Sequence, residues 1–329
     1  MRLTQRCFYA LAVGFAAALA IFPSATSAPA EPAWPTRPVR LILTLGPGSG
    51  ADIGARLFAD RLAQRWSQPV VVENRPGGDG LVAINAFVGA HDDHVLLYTP
   101  TSSFTAHPFL HENLPYKPSD LVPITRVSNT VVVISVPASL NVTSLGQLVA
   151  LARAEPGQLN WAGMTGALDF LLAGWLQQEA LNIPKVAYKN PVDAANDLAE
   201  GRVQLYESAF AIVRPQVDSG KIKVLAVTNT VHNPSEPIIP TVGEAGQPAL
   251  TVDGLVGLFG PTGMPRELRE RITADIRAVG DDTIKDRLAA TGQLLNVGGP
   301  EEFAKSIDEQ RAQVAKFAKQ LGLEPLPQN

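Results

Sequence analysis

The chain is almost without cysteine: of its 329 residues only Cys7 carries a thiol. That residue lies in the N-terminal apolar segment, ahead of its core, whereas a lipid-modified cysteine would follow the core. The rest of the chain therefore has no disulfide framework and no cysteine-based metal site. Long runs of like charge, low-complexity tracts and short-period repeats are also missing. After the N-terminal segment no apolar run is long enough to cross a bilayer. The 27 bases and 31 acids give a net charge of −4. Such a balance does not suggest nucleic acid or an anionic membrane as a partner. The five histidines, His91, His94, His107, His111 and His232, form no two-histidine motif with a carboxylate at ligand spacing. No nucleophile, base and orienting acid stand in a recognisable pattern. No metal, cofactor or catalytic residue is expected.

What is present begins with an export signal. Arg2 and Arg6 supply a basic start, residues 8–22 an apolar core, and Ser24-Ala25-Thr26-Ser27-Ala28-Pro29-Ala30 a small-residue exit. Residues 1–30 are expected to be a cleavable leader, cut after Ala30 with Ser27 as the alternative. The expected compartment is the periplasm. Losing Arg2 and Arg6 leaves 25 bases against 31 acids, a charge of −6. About 300 residues remain, enough for two domains.

The most informative motif is the turn Gly46-Pro47-Gly48-Ser49-Gly50. The strand-like run Val39-Arg40-Leu41-Ile42-Leu43-Thr44-Leu45 precedes it, and a helical pattern follows from Ala51 to about Trp66. A strand, a glycine turn and a helix gather backbone N–H groups at the positive end of a helix dipole, which suits an anion. Gly48 and Gly50 are expected to supply positive φ or close approach, Ser49 a hydroxyl. Asp52 is read mainly as complementing the dipole. Enzymatic alternatives fail on spacing: Pro47 and Ala51 stand where a nucleophile elbow needs glycines, and no lysine follows as in a phosphate-binding loop.

Strand and helix signals then alternate. Strands are expected at 70–73, 94–98, 131–136, 160–164, 185–188, 203–206 and 222–228. Helices are expected at 81–88, from Ser144, and at 168–181, 192–200 and 210–217. The alternation predicts parallel α/β sheets, with ligand-binding turns at the carboxyl ends of strands. The C-terminal third is expected to be mainly helical, with Pro265 as a helix start, Gly280 and Gly292 as stops, and a last helix at about 300–321.

Several segments carry a resemblance. They include Trp34-Pro35-Thr36-Arg37-Pro38-Val39, Gly48-Ser49-Gly50-Ala51-Asp52-Ile53-Gly54-Ala55-Arg56, Gln68-Pro69-Val70-Val71-Val72-Glu73-Asn74-Arg75-Pro76-Gly77 and Leu114-Pro115-Tyr116. Tyr188-Lys189, Leu225-Ala226-Val227-Thr228, Pro240-Thr241-Val242-Gly243-Glu244-Ala245-Gly246 and Gly299-Pro300-Glu301-Glu302-Phe303 follow in the same order. The chain resembles the Bug family, the periplasmic solute-binding proteins of tripartite tricarboxylate transporters. The resemblance implies a two-domain, type II-like periplasmic-binding-protein fold, each domain a mostly parallel sheet flanked by helices, with a ligand cleft between them. Residues 31–126 plus 229–329 would form one domain and 127–228 the other.

The resemblance also implies site residues. In family members the turn corresponding to Gly48, Ser49, Gly50, Ala51 and Asp52 binds a ligand carboxylate through backbone groups and ordered water. Thr99, Thr101, Ser102 and Ser103 follow a strand and can line the cleft. Tyr188 matches a family Tyr-Lys pair. Thr165, Gly166 and Ala167 occupy a second anion turn, where the family's usual side-chain donors are missing and Leu171 replaces a histidine. Ser208 stands where an acid is common, and Glu207 is expected to point to the other side of its strand. With Leu168, Phe170 and Leu171 in place of polar groups, the expected ligand is a carboxylate with an apolar or uncharged remainder.

The implied function is capture of a small organic acid and its delivery to membrane permease subunits by a monomeric, non-catalytic binding protein. A periplasmic sensor presenting the same ligand to a receptor is the alternative, and an exported hydrolase the remaining one.

Overall fold

The computed structural model describes residues 34–328; the expected leader and its cleavage site lie outside them. The first strand, β1 (Val39–Leu43), enters α1 (Gly50–Trp66), followed by β2 (Val70–Asn74), α2 (Leu81–Val88), β3 (Val95–Pro100) and a single turn, α3 (His107–Leu110). β1 pairs in parallel with β2 on one side and β3 on the other, with Leu43 opposite both Asn74 and Tyr98. Residues 44–49, 75–80 and 101–103 therefore leave the sheet at one edge. Buried Val39, Leu41, Ile42 and Leu43 mark β1 as covered on both faces, the condition under which parallel strands read as unbroken apolar runs.

The chain then crosses to a second sheet. β4 (Val122–Thr130) belongs to the first sheet, and β5 (Val132–Pro137) to the second. After α4 (Leu145–Ala154) come β6 (Trp161–Gly163), α5 (Ala167–Gln178), β7 (Lys185–Ala187), α6 (Pro191–Ala199), β8 (Leu205–Ala209), α7 (Phe210–Asp218) and β9 (Ile222–Val227). β6 lies parallel to β7 and β8, whereas β5 is antiparallel to β8 and β9. The return to the first sheet adds β10 (Gly254–Gly260), α8 (Arg266–Val279), α9 (Asp282–Ala289), β11 (Gln293–Gly298) and α10 (Pro300–Gln320). The sheet orders are β11-β4-β10-β3-β1-β2 and β7-β6-β8-β5-β9.

The fold is α/β with two sheets flanked by helices. Both sheets are mixed rather than mostly parallel, because the crossing strands and the returning β10 and β11 run against their neighbours. The C-terminal third is mainly helical as expected, but it also holds two strands, β10 and β11, for which no expectation was made. β10 reads Gly-Leu-Val-Gly-Leu-Phe-Gly, and its glycines blurred the strand signal. They are needed there: a Cβ on Gly257 would fall 2.5 Å from Phe303 and from the Thr125 carbonyl. Local signals for helix ends hold better. Ser144, Asn190 and Asp281 accept backbone N–H groups at their helix starts. Pro265 caps α8 from just outside it, and Gly280 ends it.

The two crossings between the sheets lie side by side. Asn229 accepts the Val132 N–H at 2.9 Å and donates to the Thr130 carbonyl at 2.9 Å, so one side chain clips both. α10 spans both sheets: Phe303 and Ile307 pack with Phe259 of the first sheet, whereas Val314 and Ala318 pack with Phe170 of α5. Gly174 of α5 sits directly under buried Phe317, where an added Cβ would fall 2.1 Å from a ring carbon. Gly174→Ala is expected to lower unfolding stability by about 1–3 kcal/mol through overpacking. Urea titration checks this, and wild-type stability in the variant would contradict the α5–α10 contact.

Candidate ligand-binding cleft

Carboxyl-edge connections from both sheets bound a cleft of about 560 Å³. The first sheet contributes Thr44 to Gly46 after β1, Pro76, Gly77, Asp79 and Gly80 after β2, and Ser102 and Ser103 after β3. The second contributes Met164 to Asp169 after β6, Lys189 and Pro191 after β7, and Glu207 to Ala209 at the end of β8. This is the edge at which open α/β sheets take ligands.

The first turn is less open than its glycines suggest. Asp52, 3% exposed, accepts the Gly48 N–H at 2.9 Å, Arg56 Nε at 3.0 Å and Asn74 Nδ2 at 2.9 Å. Burial alone would raise its pKa, but these donors hold it below the ordinary aspartate value. The Ser49 hydroxyl accepts the Asp52 N–H at 3.2 Å as the N-cap of α1. Of this motif Gly46 lines the cleft, whereas Gly48, Ser49, Gly50, Ala51 and Asp52 do not. Gly48 has φ +84°, whereas Gly50 has no positive φ. Gly50 is glycine because a Cβ would meet Gln293 Nε2 at 2.9 Å and the Thr291 carbonyl at 3.0 Å.

Other expected residues divide in the same way. Ser102, Ser103, Thr165, Gly166, Ala167 and Ser208 line the cleft. Thr99 and Thr101 do not. The Thr99 hydroxyl lies 2.6 Å from that of Thr44, and Thr101 donates to Gln310 Oε1 at 2.6 Å beneath the sheet edge. Tyr188 turns away and donates to Asp197 at 2.7 Å, leaving Lys189 on the wall. Phe170 and Leu171 point into the core, Leu171 against Val252 and Phe317. Only Leu168 of the three apolar replacements reaches the cleft, which removes most of the basis for expecting an apolar ligand remainder.

The sequence reading missed the loop Gly77-Gly78-Asp79-Gly80, in which all four residues have positive φ, from +54° to +118°. The signal was there: three glycines following a parallel strand. A side chain on Gly80 would press on Thr44 and Ser103 at 3.2–3.4 Å. Asp79 is the hub. Its carboxylate accepts the Thr165 hydroxyl at 3.0 Å, from the opposite sheet, and lies 3.2 Å from His111 Nε2. Its carbonyl accepts His107 Nε2–H at 2.9 Å, so His107 Nδ1 accepts the Tyr116 hydroxyl at 2.8 Å. Burial lowers the His107 pKa and keeps the ring neutral.

Two helix N-termini open on this space. α5 begins at Gly166 with φ +120° and no side-chain cap, and α2 begins at Gly80, also without one. The first N–H groups of a helix have no intrahelical acceptor, so the start of α5 presents donors and partial positive charge, whereas at the start of α2 the Gly80 and Leu81 N–H groups are given to the Gly77 and Gly78 carbonyls. Asp169, in the first turn of α5, accepts the Met164 N–H at 2.8 Å and pairs with Lys185. Burial raises its pKa, against the opposing pull of Lys185.

A larger depression of about 850 Å³ lies at the opposite, amino-terminal edge of the first sheet. Its Arg37 and Asp92 are paired with each other at 2.6 Å. Asp92, Asp93 and His94 converge there, but both His94 ring nitrogens are engaged, Nδ1 with Asp93 at 2.6 Å and Nε2 with the Thr36 N–H at 3.1 Å. Among the described residues no helix is long and apolar enough to cross a membrane.

Comparison with known proteins agrees with this fold. The tripartite tricarboxylate transporter receptor family matches residues 54–323. A UPF0065 protein of Bordetella bronchiseptica is 29% identical over 329 residues, covering 98% of this chain and 97% of its own. BugT of Bordetella pertussis is 28% identical over 295 residues, 88% of this chain and 90% of its own. The solved structure of R. palustris Rpa4515 with adipate has a TM-score of 0.76 at 27% identity, covering 89% of this chain and all of that one.

The Asp52 interactions predict a pH signature. Its depressed pKa contributes stability that is present above the ordinary aspartate value and lost as pH falls through the lower folded value. Asp52→Asn should cost about 1–3 kcal/mol at neutral pH, and the gap to wild type should close in strong acid. Denaturant titrations across pH measure it; a gap independent of pH would contradict the ionised clasp.

Proposed function

The chain belongs to the tripartite tricarboxylate transporter receptor family, and from that premise we propose that it captures a small organic acid and delivers it to the membrane permease subunits of such a transporter. The observation that carries this reading is the uncapped N-terminus of α5 on the wall of a cleft whose opposite wall is the glycine loop after β2. Backbone donors at a helix start bind a carboxylate without a cationic side chain. Residues 165–167 and 77–79 are the donors assigned to the ligand carboxylate. Ser102 and Ser103 add hydroxyls from the first sheet and Ser208 one from the second.

In this reading residues 31–126 plus 229–329 and residues 127–228 are two domains that move about the paired crossings clipped by Asn229, closing on ligand as hinged binding proteins do. The protein acts as a monomer in the periplasm after removal of its leader, and it releases the acid unchanged. The cleft supports binding without chemistry: His107 spends both ring nitrogens on Asp79 and Tyr116, so it is not poised to activate a cleft serine.

Gly46 provides the test. It lines the cleft, and a Cβ placed on it meets nothing within 4 Å. Gly46→Leu should fold with stability within about 0.5 kcal/mol of wild type while filling the ligand space. Short monocarboxylates and dicarboxylates at a hundredfold excess over Kd should stabilise the wild type by about 2.7 kcal/mol and leave Gly46→Leu unchanged. Equal stabilisation of both proteins would move the site elsewhere, and steady conversion of a bound acid would contradict a pure binding role.

A further inference from the structure

Two carboxyl groups share the second-sheet wall of the cleft, and only one of them has a partner. Asp169 uses both oxygens, one for the Met164 N–H at 2.8 Å and one for Lys185. Glu207, at the end of β8, also lines the cleft and is 6% exposed. Neither of its carboxyl oxygens has a hydrogen-bond partner in the protein, and both are closed to solvent. The strand register places it opposite Ile134 of β5, on the face that Leu205 and Ile134 turn towards α5. Its neighbour Asp169 belongs to the first turn of that helix.

A buried carboxyl without donors carries an uncompensated desolvation cost. Burial, reinforced by the nearby Asp169 charge, pushes the Glu207 pKa well above its ordinary value. Buried polar groups without a partner are rare in native proteins and call for a reason, of which an arriving ion or ligand is one. For a residue on a cleft wall, the cleft contents are the available supply. The lining also restricts which donor fits. Its ionisable side chains include three acids, Asp79, Asp169 and Glu207, against Lys189, and Lys185 is already committed to Asp169. A ligand with several anionic ends would add repulsion on this side. A cationic donor would relieve the repulsion between Asp169 and Glu207 and supply the counter-charge that Glu207 lacks.

We propose that Glu207 is the specificity-determining residue of the cleft and that it selects zwitterionic ligands, small carboxylates bearing an ammonium group that Glu207 receives while the start of α5 and the glycine loop after β2 hold the carboxylate. This inference rests on the carboxylate-capture reading and refines it. It replaces the expectation of an apolar remainder, which depended on Phe170 and Leu171 facing the ligand.

The experiment is isothermal calorimetry on the leader-free protein with matched probes: propionate, lactate and alanine, then succinate, malate and aspartate, and finally glutarate and glutamate. In at least one set the amino member should bind about ten- to a hundredfold more tightly than its unsubstituted partner, the range expected of a hydrogen bond to a charged group. Glu207→Gln should erase that preference while leaving the affinity for the unsubstituted acid within about threefold. Glu207→Asp should retain part of the preference. The wild-type ratio alone is decisive should a variant fail to fold. Unsubstituted acids binding as tightly as amino acids would overturn the proposal and leave carboxylate capture standing. A hydroxy acid matching the amino acid would also overturn it, because a neutral donor would then suffice. Equal losses for all probes in Glu207→Gln would assign Glu207 a structural role and overturn it too. Failure of every probe to bind the wild type would instead remove the carboxylate-capture reading on which the inference stands.

Discussion

The common register of parallel strands is the constraint on which the cleft depends. Leu43 and Asn74 end their strands at one level in the first sheet, with Tyr98 of β3 beside them. Gly163 and Ala187 do the same in the second, with β8 alongside. A slip of one residue in β1, buried on both faces, would swap its side chains between the two covering layers, so core packing fixes the level at which it ends. The connections that leave those ends then have no choice of edge. Glycine-rich turns, helix starts and short polar loops from distant stretches of sequence meet because the strands beneath them are in register.

At that edge two turns of similar build have different fates. Both follow a parallel strand and both carry an aspartate in the first helical turn, Asp52 in α1 and Asp169 in α5. Each aspartate accepts an upstream backbone N–H and pairs with a cation, Arg56 or Lys185. These carboxylates act as built-in anions and use part of the donor capacity that makes such turns attractive to ligands. The difference lies at the cap. Ser49 closes the start of α1, whereas Gly166 leaves the start of α5 without a side-chain cap. One turn becomes framework and the other keeps donors facing the cleft.

Contacts between the two sheets also set how the cleft can change shape. The crossings at 130–132 and 228–230 run together under Asn229, which suits rotation about a single line. Asp79 and Thr165 join the two walls directly at 3.0 Å. α10 lies across the back, its first half on the first sheet and its second half on α5. Relative movement of the sheets must break the Asp79–Thr165 bond, an exposed contact whose loss costs little. It must also slide or bend the α10–α5 contact, where Phe317 rests on Gly174 and tight packing resists displacement.

Much of the fold was legible in the chain because it depends on short-range chemistry. Apolar strands, the start of α2, caps such as Ser144, the proline before α8 and the long final helix are each specified by neighbouring residues. So was the family, because many short segments kept their order and spacing. Strand direction was not legible: β10 and β11 are antiparallel returns whose partners lie far away in sequence, and the glycines of β10 answer to Phe303 and Thr125 rather than to local propensity. The site divided along the same line. Position after a strand, a local property, marked Ser102 and Ser103 as cleft candidates, and the family resemblance marked Thr165, Gly166, Ala167 and Ser208. The sequence could not show that Asp52 closes its own turn, that Thr101 answers Gln310, or that Leu171 belongs to Val252 and Phe317. Nor could it show that Glu207 stands on the wall with no partner. Those outcomes depend on which side chains meet after the sheets are assembled, and only the tertiary structure decides that.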